Sequence, residues 1–171
     1  SKTMLDPSLN PFFLFEKWYE EAKLNEPNDP NAMNLSTISE DLRPTSRIVL
    51  LKDFKNKEFI FYTNFQSKKG TSILLNPNVA LTFHWKSLLK QIRIEGQATQ
   101  VSNIEADEYF NSRPNDSKIG AWASKQSQYL SSRKVLEDNF KYYKNKFKNK
   151  AIPRPPHWSG FKVKPELIEF W

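Results

Sequence analysis

Hydrogen-bonding and cationic side chains are concentrated in one window of the sequence, "EYFNSRPNDSKIGAWASKQSQ", which runs from Glu108 to Gln128. Arginine offers a bidentate fork, lysine a compact charge, and tyrosine and serine hydroxyl donors, and together these groups suit a phosphate dianion. The side chains of this kind are Tyr109, Arg113, Ser117, Lys118, Lys125, Gln126 and Ser127. The window by itself leaves open what these groups bind.

Tyr109 and Arg113 are four residues apart, so both project from one face if the segment is helical. Taken alone, the two residues are explained more simply as an exposed helical pair worth roughly 0.3 kcal/mol. Pro114 and the turn predicted after it favour a ligand site, because the end of a helix beside a loop commonly carries binding residues.

Several other chemistries lack the residues that they need. The chain has no cysteine, which excludes disulfides, thiolate nucleophiles and thiolate zinc sites and fits a reducing cytoplasm. The two histidines, His84 and His157, are far apart and have no neighbouring ligand pattern, so no metal site is predicted. The four glycines form neither a phosphate-binding loop nor a nucleophile elbow. Any phosphate must therefore be bound by side chains.

The net charge of +7 raises nucleic acid as a partner, since cationic surfaces gain affinity by releasing counterions from phosphate backbones. The densest basic tract is "KYYKNKFKNK", residues 141–150. At helical spacing Phe140, Tyr143 and Phe147 share one face and the lysines occupy the others. A solvated amphipathic helix is the favoured interpretation, and nucleic acid is not expected as the partner.

Length and composition favour one globular domain over residues 1–171. The aromatic content of 14% argues against disorder, and 171 residues are enough to bury a core. The most apolar early run, "PFFLF", is interrupted by Glu16 and Lys17, so neither a signal peptide nor a membrane span is expected. The prediction is a cytoplasmic protein.

Hydrophobic periodicity predicts strands joined mainly by turns. Helices are predicted over 11–24, 67–76, 103–112 and 131–148, strands over 32–39, 45–52, 59–64, 79–85 and 90–101, turns over 40–44 and 53–58, and a terminal strand pair over 157–171. Strands without helices between most of them imply an antiparallel sheet that curls into a small barrel. The predicted fold class is mainly β with flanking helices.

An ordered set of motifs extends along nearly the whole chain: "RIVLLK", "FYTN", "SKK", "QIRIEG", "YFNSRPNDSKIGAWASKQS", "HWSGF" and "IEFW". In this order and at these separations the set resembles the pyridoxine/pyridoxamine 5'-phosphate oxidase family. The resemblance implies an antiparallel split β-barrel of the FMN-binding type, assembled as a homodimer with FMN at the interface. It also implies oxidation of pyridoxamine or pyridoxine 5'-phosphate to pyridoxal 5'-phosphate, in which a hydride passes from the 4' carbon to the flavin and dioxygen reoxidises the flavin to give peroxide.

The resemblance assigns site residues by position. Those expected to hold the substrate phosphate are Lys52, Tyr109, Arg113 and Ser117. Those expected to bind FMN are Arg47, Ile48, Val49, Leu50, Leu51, Lys52, Tyr62, Thr63, Lys68, Lys69, Gln91, Gln126, Ser127 and Trp171. The phosphate of FMN is assigned to Arg47, Lys69 and Ser127, and the edge of its ring to Gln91. No catalytic side chain is assigned, because the flavin performs the electron chemistry.

Each of these residues also has a structural alternative. Tyr62 and Thr63 are good strand formers, Gln91 could pair with Arg93, and Trp171 could cover the apolar end of the barrel. Arg47 and Lys52 are separated by an odd number of residues, so a regular strand would point them to opposite faces unless it ends or bulges between them. Lysine at position 68, where the family commonly has arginine, keeps the charge but loses the fork, which predicts weaker FMN binding.

Two alternatives to the oxidase remain at this point. One is an FMN-dependent oxidoreductase of the same barrel group with another substrate, and the other is a non-catalytic module that binds flavin or pyridoxal phosphate. The family pattern continues beyond the tryptophan of "IEFW" into a tail with arginine and histidine that covers the substrate ring. The sequence ends at Trp171, so turnover is expected to depend on that tail more than FMN binding does.

Overall fold

The computed structural model describes residues 10–65, 68–124 and 133–171, with Lys68 described by its backbone alone. The helices are α1 (Pro11–Asn25), α2 (Lys68–Leu75), α3 (Asn103–Ser112), α4 (Asn115–Ala123) and α5 (Arg133–Lys146), with a short 3-10 turn over Lys86–Leu88. The strands are β1 (Ala32–Ile38), β2 (Pro44–Leu50), β3 (Asp53–Lys55), β4 (Glu58–Asn64), β5 (Asn78–Trp85), β6 (Lys90–Gln100) and β7 (Trp158–Phe170). None of these helices has the length and apolar character needed to span a membrane.

The strands form one sheet in the order β2-β1-β5-β6-β7-β4-β3. β1 pairs antiparallel with β2 from Ala32↔Leu50 to Ile38↔Pro44, and β5 pairs antiparallel with β6 along its whole length. Burial alternates along β1 and β5, as expected for strands with one covered face. The predicted fold class, an antiparallel sheet with flanking helices, is confirmed.

The described residues divide into two compact units, which are treated separately below. Among the described residues, the first unit draws on 10–61, 72–99 and 162–171, and the second on 62–65, 68–71, 100–124 and 133–161. The prediction of a single domain over the whole chain stays a prediction.

In the first unit α1 covers the core with Phe15, which is fully buried. Asn10 caps this helix by accepting a hydrogen bond from the Phe12 N–H at 2.9 Å, and Pro11 occupies the first turn, where no N–H is needed. The Phe15 ring packs edge-on against Phe54 and Phe59 at 4.9 and 4.8 Å. The predicted helix over 11–24 is confirmed to within one residue.

In the second unit α3, α4 and α5 surround a small aromatic core. Its buried members are Phe110, Ile119, Ala121, Ile152 and Trp158. Phe147 and Tyr143 of the α5 segment pack against Trp122 at 5.3 and 5.7 Å, while the lysines of 141–150 are exposed. The predicted helical face of aromatic residues is thus a packing face, in agreement with the solvated-helix interpretation.

The predicted turn over 53–58 is much tighter than expected. Asp53–Lys55 forms strand β3, which pairs with β4 through Lys55↔Glu58. Only Asn56 and Lys57 form the turn, and both have positive φ angles, 53° and 62°. Two consecutive residues of this kind make a two-residue hairpin turn whose twist matches that of the strands.

The predicted terminal strand pair is wrong, because Trp158–Phe170 is one continuous strand. Pro165 suggests a break, since proline cannot donate to the ladder and is uncommon inside sheets. The neighbouring strand accommodates it with a glycine. A Cβ at Gly96 would overlap the Lys164 carbonyl oxygen and lie 3.0 Å from the Pro165 Cα, so β6 and β7 approach closely only because Gly96 has no side chain.

The predicted turn after Pro114 is also wrong, because Asn115–Ala123 is helix α4. Pro114 stands at its N-cap with φ −58°, and Asp116 lies in its first turn, where a negative charge is favourable. The segment lacks an apolar repeat of 3.6 residues and contains Gly120, a poor helix former. The helix is instead stabilised by burial of Ile119, Ala121 and Ala123 in the second unit.

Candidate functional site

Arg113 is the most distinctive cation of the second unit. It follows α3 directly in an extended conformation, and its guanidinium carbon lies 4.8 Å from the centre of the Trp158 ring. Its Nη1 is buried, and within the described residues no hydrogen-bond acceptor reaches that atom. Burial lowers the pKa of Arg113, because the charged form is desolvated. An anion that pairs with Nη1 would offset that cost.

Tyr109 lies one helical turn before Arg113, and the two influence each other. Burial raises the pKa of the Tyr109 hydroxyl, and the positive charge of Arg113 offsets only part of this increase. The capping box of α3, in which Ser102 accepts from the Glu105 N–H at 3.1 Å, fixes the start of the helix. The helix therefore places Tyr109 in its last turns, and Arg113 follows directly after the helix end.

Three aromatic rings lie nearly parallel beside Arg113. The rings of Tyr62 and Tyr109 are 4.0 Å apart at 13°, and those of Tyr62 and Trp158 are 5.1 Å apart at 13°. Tyr109 and Trp158 are 6.0 Å apart at 6°. A predicted flavin residue, Tyr62, is thus stacked directly on a predicted substrate residue, Tyr109.

A cavity of about 400 Å³ opens beside Arg113, within the size range of small-molecule sites. Arg113 and Ser117 both line it, so the structure brings together two of the residues predicted to hold the substrate phosphate. The other lining residues are Asn64, Gly120, Ala121, Ala123, Ser124, Leu136, Phe140 and Trp158. The cavity combines apolar walls with a cation and hydroxyls, which suits an aromatic anion.

In the first unit Arg47 is bonded to its own sheet. Its Nη1 donates to the Leu35 carbonyl at 3.1 Å and to Thr37 Oγ1 at 2.8 Å, and its Nη2 donates to Thr45 Oγ1 at 2.6 Å. These bonds occupy three of the five N–H donors of a guanidinium. Burial lowers the pKa of Arg47 as well.

The residues after Arg47 form the end of β2, an outer strand of the sheet. Ile48 is 66% exposed and Leu50 37% exposed, Val49 is half-buried, and Leu51 is buried. The strand ends at Leu50, so Lys52 lies beyond it and the alternation of a regular strand does not govern its direction. Lys52 is exposed and lines a cavity of about 390 Å³ in the first unit together with Glu16 and Glu20.

Gln91 of β6 is brought together with Trp171, the residue that follows β7. The Gln91 N–H donates to the Trp171 carbonyl at 2.9 Å, and the Trp171 N–H donates back at 2.8 Å. Both line a cavity of about 400 Å³ with His84, which is paired with Gln91 across β5 and β6. Arg93 pairs instead with Glu95 and Glu169, so the alternative partner for Gln91 is wrong.

Two of the remaining predicted flavin residues lie at the start of α2. Lys68 and Lys69 open this helix, which has no acidic residue in its first turn, so its N-terminus favours an anion. Gly70 allows the helix to pack on the backbone of residues 64 and 65, since a Cβ there would lie 2.9 Å from the Asn64 oxygen. Thr63 is buried in β4. Gln126 and Ser127 lie outside the described residues.

Sequence reasoning missed Trp158 and Gly120 as residues of the cavity. The motif "HWSGF" contains Trp158, but nothing local connects it with Arg113. Gly120 has no atom within 4 Å of the place where a Cβ would lie, so a side chain there would project into open space. The open space beside Arg113 and Ser117 indicates that Gly120 lines the cavity, and it can be seen only in the structure.

Comparison with known proteins agrees with this arrangement. A family model described as pyridoxamine 5'-phosphate oxidase matches residues 20–147. The chain is 57% identical over 161 residues to a pyridoxine/pyridoxamine 5'-phosphate oxidase of Bartonella quintana, covering 94% of this chain and 78% of that protein. It is 52% identical over 164 residues to the protein of the same name from Brucella canis, covering 96% and 81%.

Two solved structures share the fold. PhzG from Burkholderia lata, in complex with tetrahydrophenazine-1-carboxylic acid, has a TM-score of 0.90 and 28% identity and covers 100% of this chain and 86% of that one. An FMN-binding protein related to pyridoxamine 5'-phosphate oxidase from Nostoc punctiforme has a TM-score of 0.74 and 14% identity and covers 95% and 85%. From these matches, this chain belongs to the pyridoxamine 5'-phosphate oxidase family, whose named relatives are oxidoreductases.

Proposed function

We propose that this chain catalyses the FMN-dependent oxidation of pyridoxamine or pyridoxine 5'-phosphate to pyridoxal 5'-phosphate, with dioxygen as the electron acceptor. The names of relatives at 52–57% identity support this class of reaction. Family membership, together with an FMN-binding protein among the structural neighbours, supports FMN as the cofactor.

One observation carries the substrate assignment: Nη1 of Arg113 is buried and lacks an acceptor in the described part of the chain, while its residue lines the cavity with Ser117. A buried guanidinium without a partner is costly, and a phosphate oxygen offsets that cost with a charge-assisted hydrogen bond. The Ser117 hydroxyl can donate a second bond. Arg113 and Ser117 thus bind and orient the phosphate, and we assign Tyr109 and Lys52 to the same task.

The residues present also fit FMN. Arg47 retains two N–H donors for a phosphate after its bonds to the sheet, and the lysines at the start of α2 add charge at a helix N-terminus. The side-chain amide of Gln91 can serve as a hydrogen-bond partner for the edge of the ring. When bound, FMN would supply the acceptor for a hydride from the 4' carbon of the substrate, with dioxygen as the final acceptor of the electrons.

We further propose that two copies of the chain pair through the outer strand β2. Ile48 is 66% exposed on this strand, next to backbone positions assigned to FMN. Apolar side chains on an outer strand favour association with another chain. A homodimer is the expected species in size-exclusion chromatography with light scattering, and Ile48→Lys is expected to shift it toward monomer.

The test of function begins with the absorption spectrum of the purified protein and continues with oxygen uptake. The expected result is a flavin spectrum, with oxygen consumption and formation of pyridoxal 5'-phosphate when pyridoxamine or pyridoxine 5'-phosphate is added. A protein that binds no FMN after reconstitution contradicts the proposal. A flavoprotein that is inert toward both phosphates contradicts the substrate assignment alone.

A second candidate follows from the likeness to PhzG at a TM-score of 0.90, since that structure holds an aromatic carboxylate. Arg113 could pair with a ring carboxylate as it would with a phosphate. A flavoprotein that consumes oxygen with a reduced polycyclic aromatic acid, and not with vitamin B6 phosphates, would favour this candidate.

A further inference from the structure

We propose that Trp158 is a positioning residue that holds the Arg113 guanidinium for anion binding through its indole face. This inference rests on the proposed function of the cavity that both residues line. It adds to the site an aromatic residue that would contact the ligand-binding cation rather than perform chemistry.

Arg113 needs such a support because the backbone does not supply one. Helix α3 ends at Ser112, and Arg113 is extended, with φ −76° and ψ 152°. Its long side chain would lose considerable rotamer entropy on binding an anion unless it were already held in place. The Trp158 ring centre lies 4.8 Å from the guanidinium carbon, well within the range of a cation–π contact.

Trp158 is itself firmly held. The residue is 8% exposed. Its backbone N–H donates to the Pro155 carbonyl at 3.1 Å, and its backbone carbonyl accepts from Arg154 Nη1 at 2.6 Å. Its ring meets Phe110 edge-on at 5.3 Å and 67° and lies parallel to Tyr62. A ring with neighbours on several sides and a bonded backbone offers a fixed surface for the cation.

The chemistry of the support matters as much as its rigidity. A carboxylate beside Arg113 would also fix the side chain, but it would compete with an anionic ligand for the same N–H groups. An indole face attracts the cation and uses none of its donors. This explains how Arg113 can be held in place while Nη1 keeps no partner among the described residues.

Trp158 also belongs to the aromatic core of the second unit, so its loss would affect stability in any case. Trp122 provides a matched control. It packs against Tyr143 and Phe147 at the same core and donates from Nε1 to the Pro153 carbonyl at 2.8 Å, but it does not line the cavity. Changes at Trp122 test the structural role of a tryptophan here without touching Arg113.

The experiment measures KM and kcat for pyridoxamine 5'-phosphate in the FMN-loaded protein, together with the unfolding temperature, for Trp158→Leu, Trp158→Phe, Trp122→Leu and Trp122→Phe. Trp158→Leu is expected to raise KM about tenfold with kcat changed less than about threefold. Trp158→Phe, which keeps a weaker ring, is expected to restore KM to within about threefold of the original. The Trp122 variants are expected to lower the unfolding temperature and leave KM unchanged.

A double-mutant cycle with Arg113→Ala gives the sharpest result. If Trp158 acts through Arg113, Trp158→Leu, which should raise KM about tenfold in the original protein, has no further effect on KM in the Arg113→Ala background. Additive effects of the two substitutions would overturn the proposal, as would equal KM changes at Trp122 and Trp158. A parallel cycle with Trp158→Phe covers the case in which Trp158→Leu does not fold: the rise in KM of up to about threefold should vanish in the Arg113→Ala background.

The proposed oxidase activity and this inference about Trp158 can be tested separately. For a protein that does not turn over the substrate, the same cycle is measured as the dissociation constant of inorganic phosphate and of pyridoxal 5'-phosphate by titration calorimetry. If the effects of the Trp158 and Arg113 substitutions on those dissociation constants are not additive, the inference is supported even though the substrate assignment has failed. Independent effects, or no binding of either anion, overturn it.

Discussion

Arg47 and Arg113 are both assigned to phosphate groups, yet the two units of the molecule hold them by different means. In the first unit Arg47 donates three hydrogen bonds to Leu35, Thr37 and Thr45 and so joins β1 to β2. In the second unit Arg113 rests on the Trp158 ring and leaves Nη1 without an acceptor in the described residues. The first arginine is part of the framework of its sheet, whereas the second keeps a buried N–H group without an acceptor among the described residues.

Because the two arginines are held differently, we expect their substitution to have different effects on stability and on ligand binding. Hydrogen bonds to the fold stabilise the folded state with or without a ligand, whereas a desolvated and unpaired guanidinium costs stability until an anion arrives. Substitutions at Arg113 should therefore act mainly on binding, whereas those at Arg47 should also lower the stability of the fold. The predictions below test this separation.

The largest effect is expected from Arg113→Ala. Loss of the charge-assisted bonds to the phosphate should cost about 3 kcal/mol of transition-state stabilisation, roughly a 100-fold fall in kcat/KM for pyridoxamine 5'-phosphate. Steady-state oxygen uptake measures it. Arg133→Ala is the control, because Arg133 is 92% exposed and pairs only with Glu137 on its own helix in the described structure. Equal losses in the two variants would contradict the role of Arg113.

The next largest effect concerns two glycines, one in each unit. Gly96→Ala should lower the free energy of unfolding by about 2–3 kcal/mol, because its Cβ would overlap backbone atoms of Lys164 in β7. Gly120→Ala should raise the same free energy by about 0.5–1 kcal/mol, since alanine favours the helix and meets nothing within 4 Å. Urea denaturation of the apoprotein measures both.

Gly120 also lines the cavity beside Arg113, so the gain in stability at this position should be accompanied by a higher KM. Gly96 lies between two strands, and its substitution should leave the KM of the surviving folded protein unchanged. A Gly120→Ala variant that is destabilised as strongly as Gly96→Ala would show that the space beside α4 is filled in solution.

A smaller effect separates the two arginines by stability alone. Arg47→Lys keeps the charge but loses most of three hydrogen bonds, and it should lower the free energy of unfolding by about 1.5 kcal/mol. Arg113→Lys should change it by less, about 0.5–1 kcal/mol, because no bond to Nη1 is lost within the described structure and only part of the contact with the Trp158 ring is lost. Equal changes in the free energy of unfolding would mean that both arginines stabilise the fold to the same extent, which would contradict the comparison.

Most of the fold could be predicted from the sequence where local signals agree. Asn10, Pro11 and the proline-rich segment after Asn25 set the limits of α1, and the alternation of β1 follows from burial of one face. The errors occurred where the deciding residue is distant along the chain. β7 continues through Pro165 because Gly96 on another strand gives it room, and α4 is stabilised by burial rather than by its own periodicity.

The candidate site divides in the same way. Arg113 and Ser117 could be predicted because their types and the family motif both indicate phosphate, and the structure places both on one cavity. The support given by Trp158 could not, since a contact between a ring and a guanidinium leaves no mark on the local pattern of either residue. The placement of Lys52 relative to that cavity stays a prediction.

The smallest expected effect is on the titration of Tyr109. Burial raises the pKa of its hydroxyl above the ordinary value of 10.0, and the charge of Arg113 partly opposes the shift. A raised pKa in the folded state contributes stability that is complete below about pH 10 and is lost as the pH rises through the folded pKa. Arg113→Met removes the opposing charge, so the pKa of Tyr109 should rise further, and the loss, which still begins near pH 10, should be larger and extend to higher pH.

The ultraviolet absorbance of tyrosinate measures this titration, with Tyr109→Phe in each background to isolate the signal of Tyr109. Tyr19 in the first unit is the internal control: burial also raises its pKa, but its charged neighbours are Lys23 and Glu20. Arg113→Met should leave the titration of Tyr19 unchanged. If Tyr109 titrates identically with and without the arginine, its hydroxyl does not sense that charge in solution, and the close association of the two predicted substrate residues is wrong.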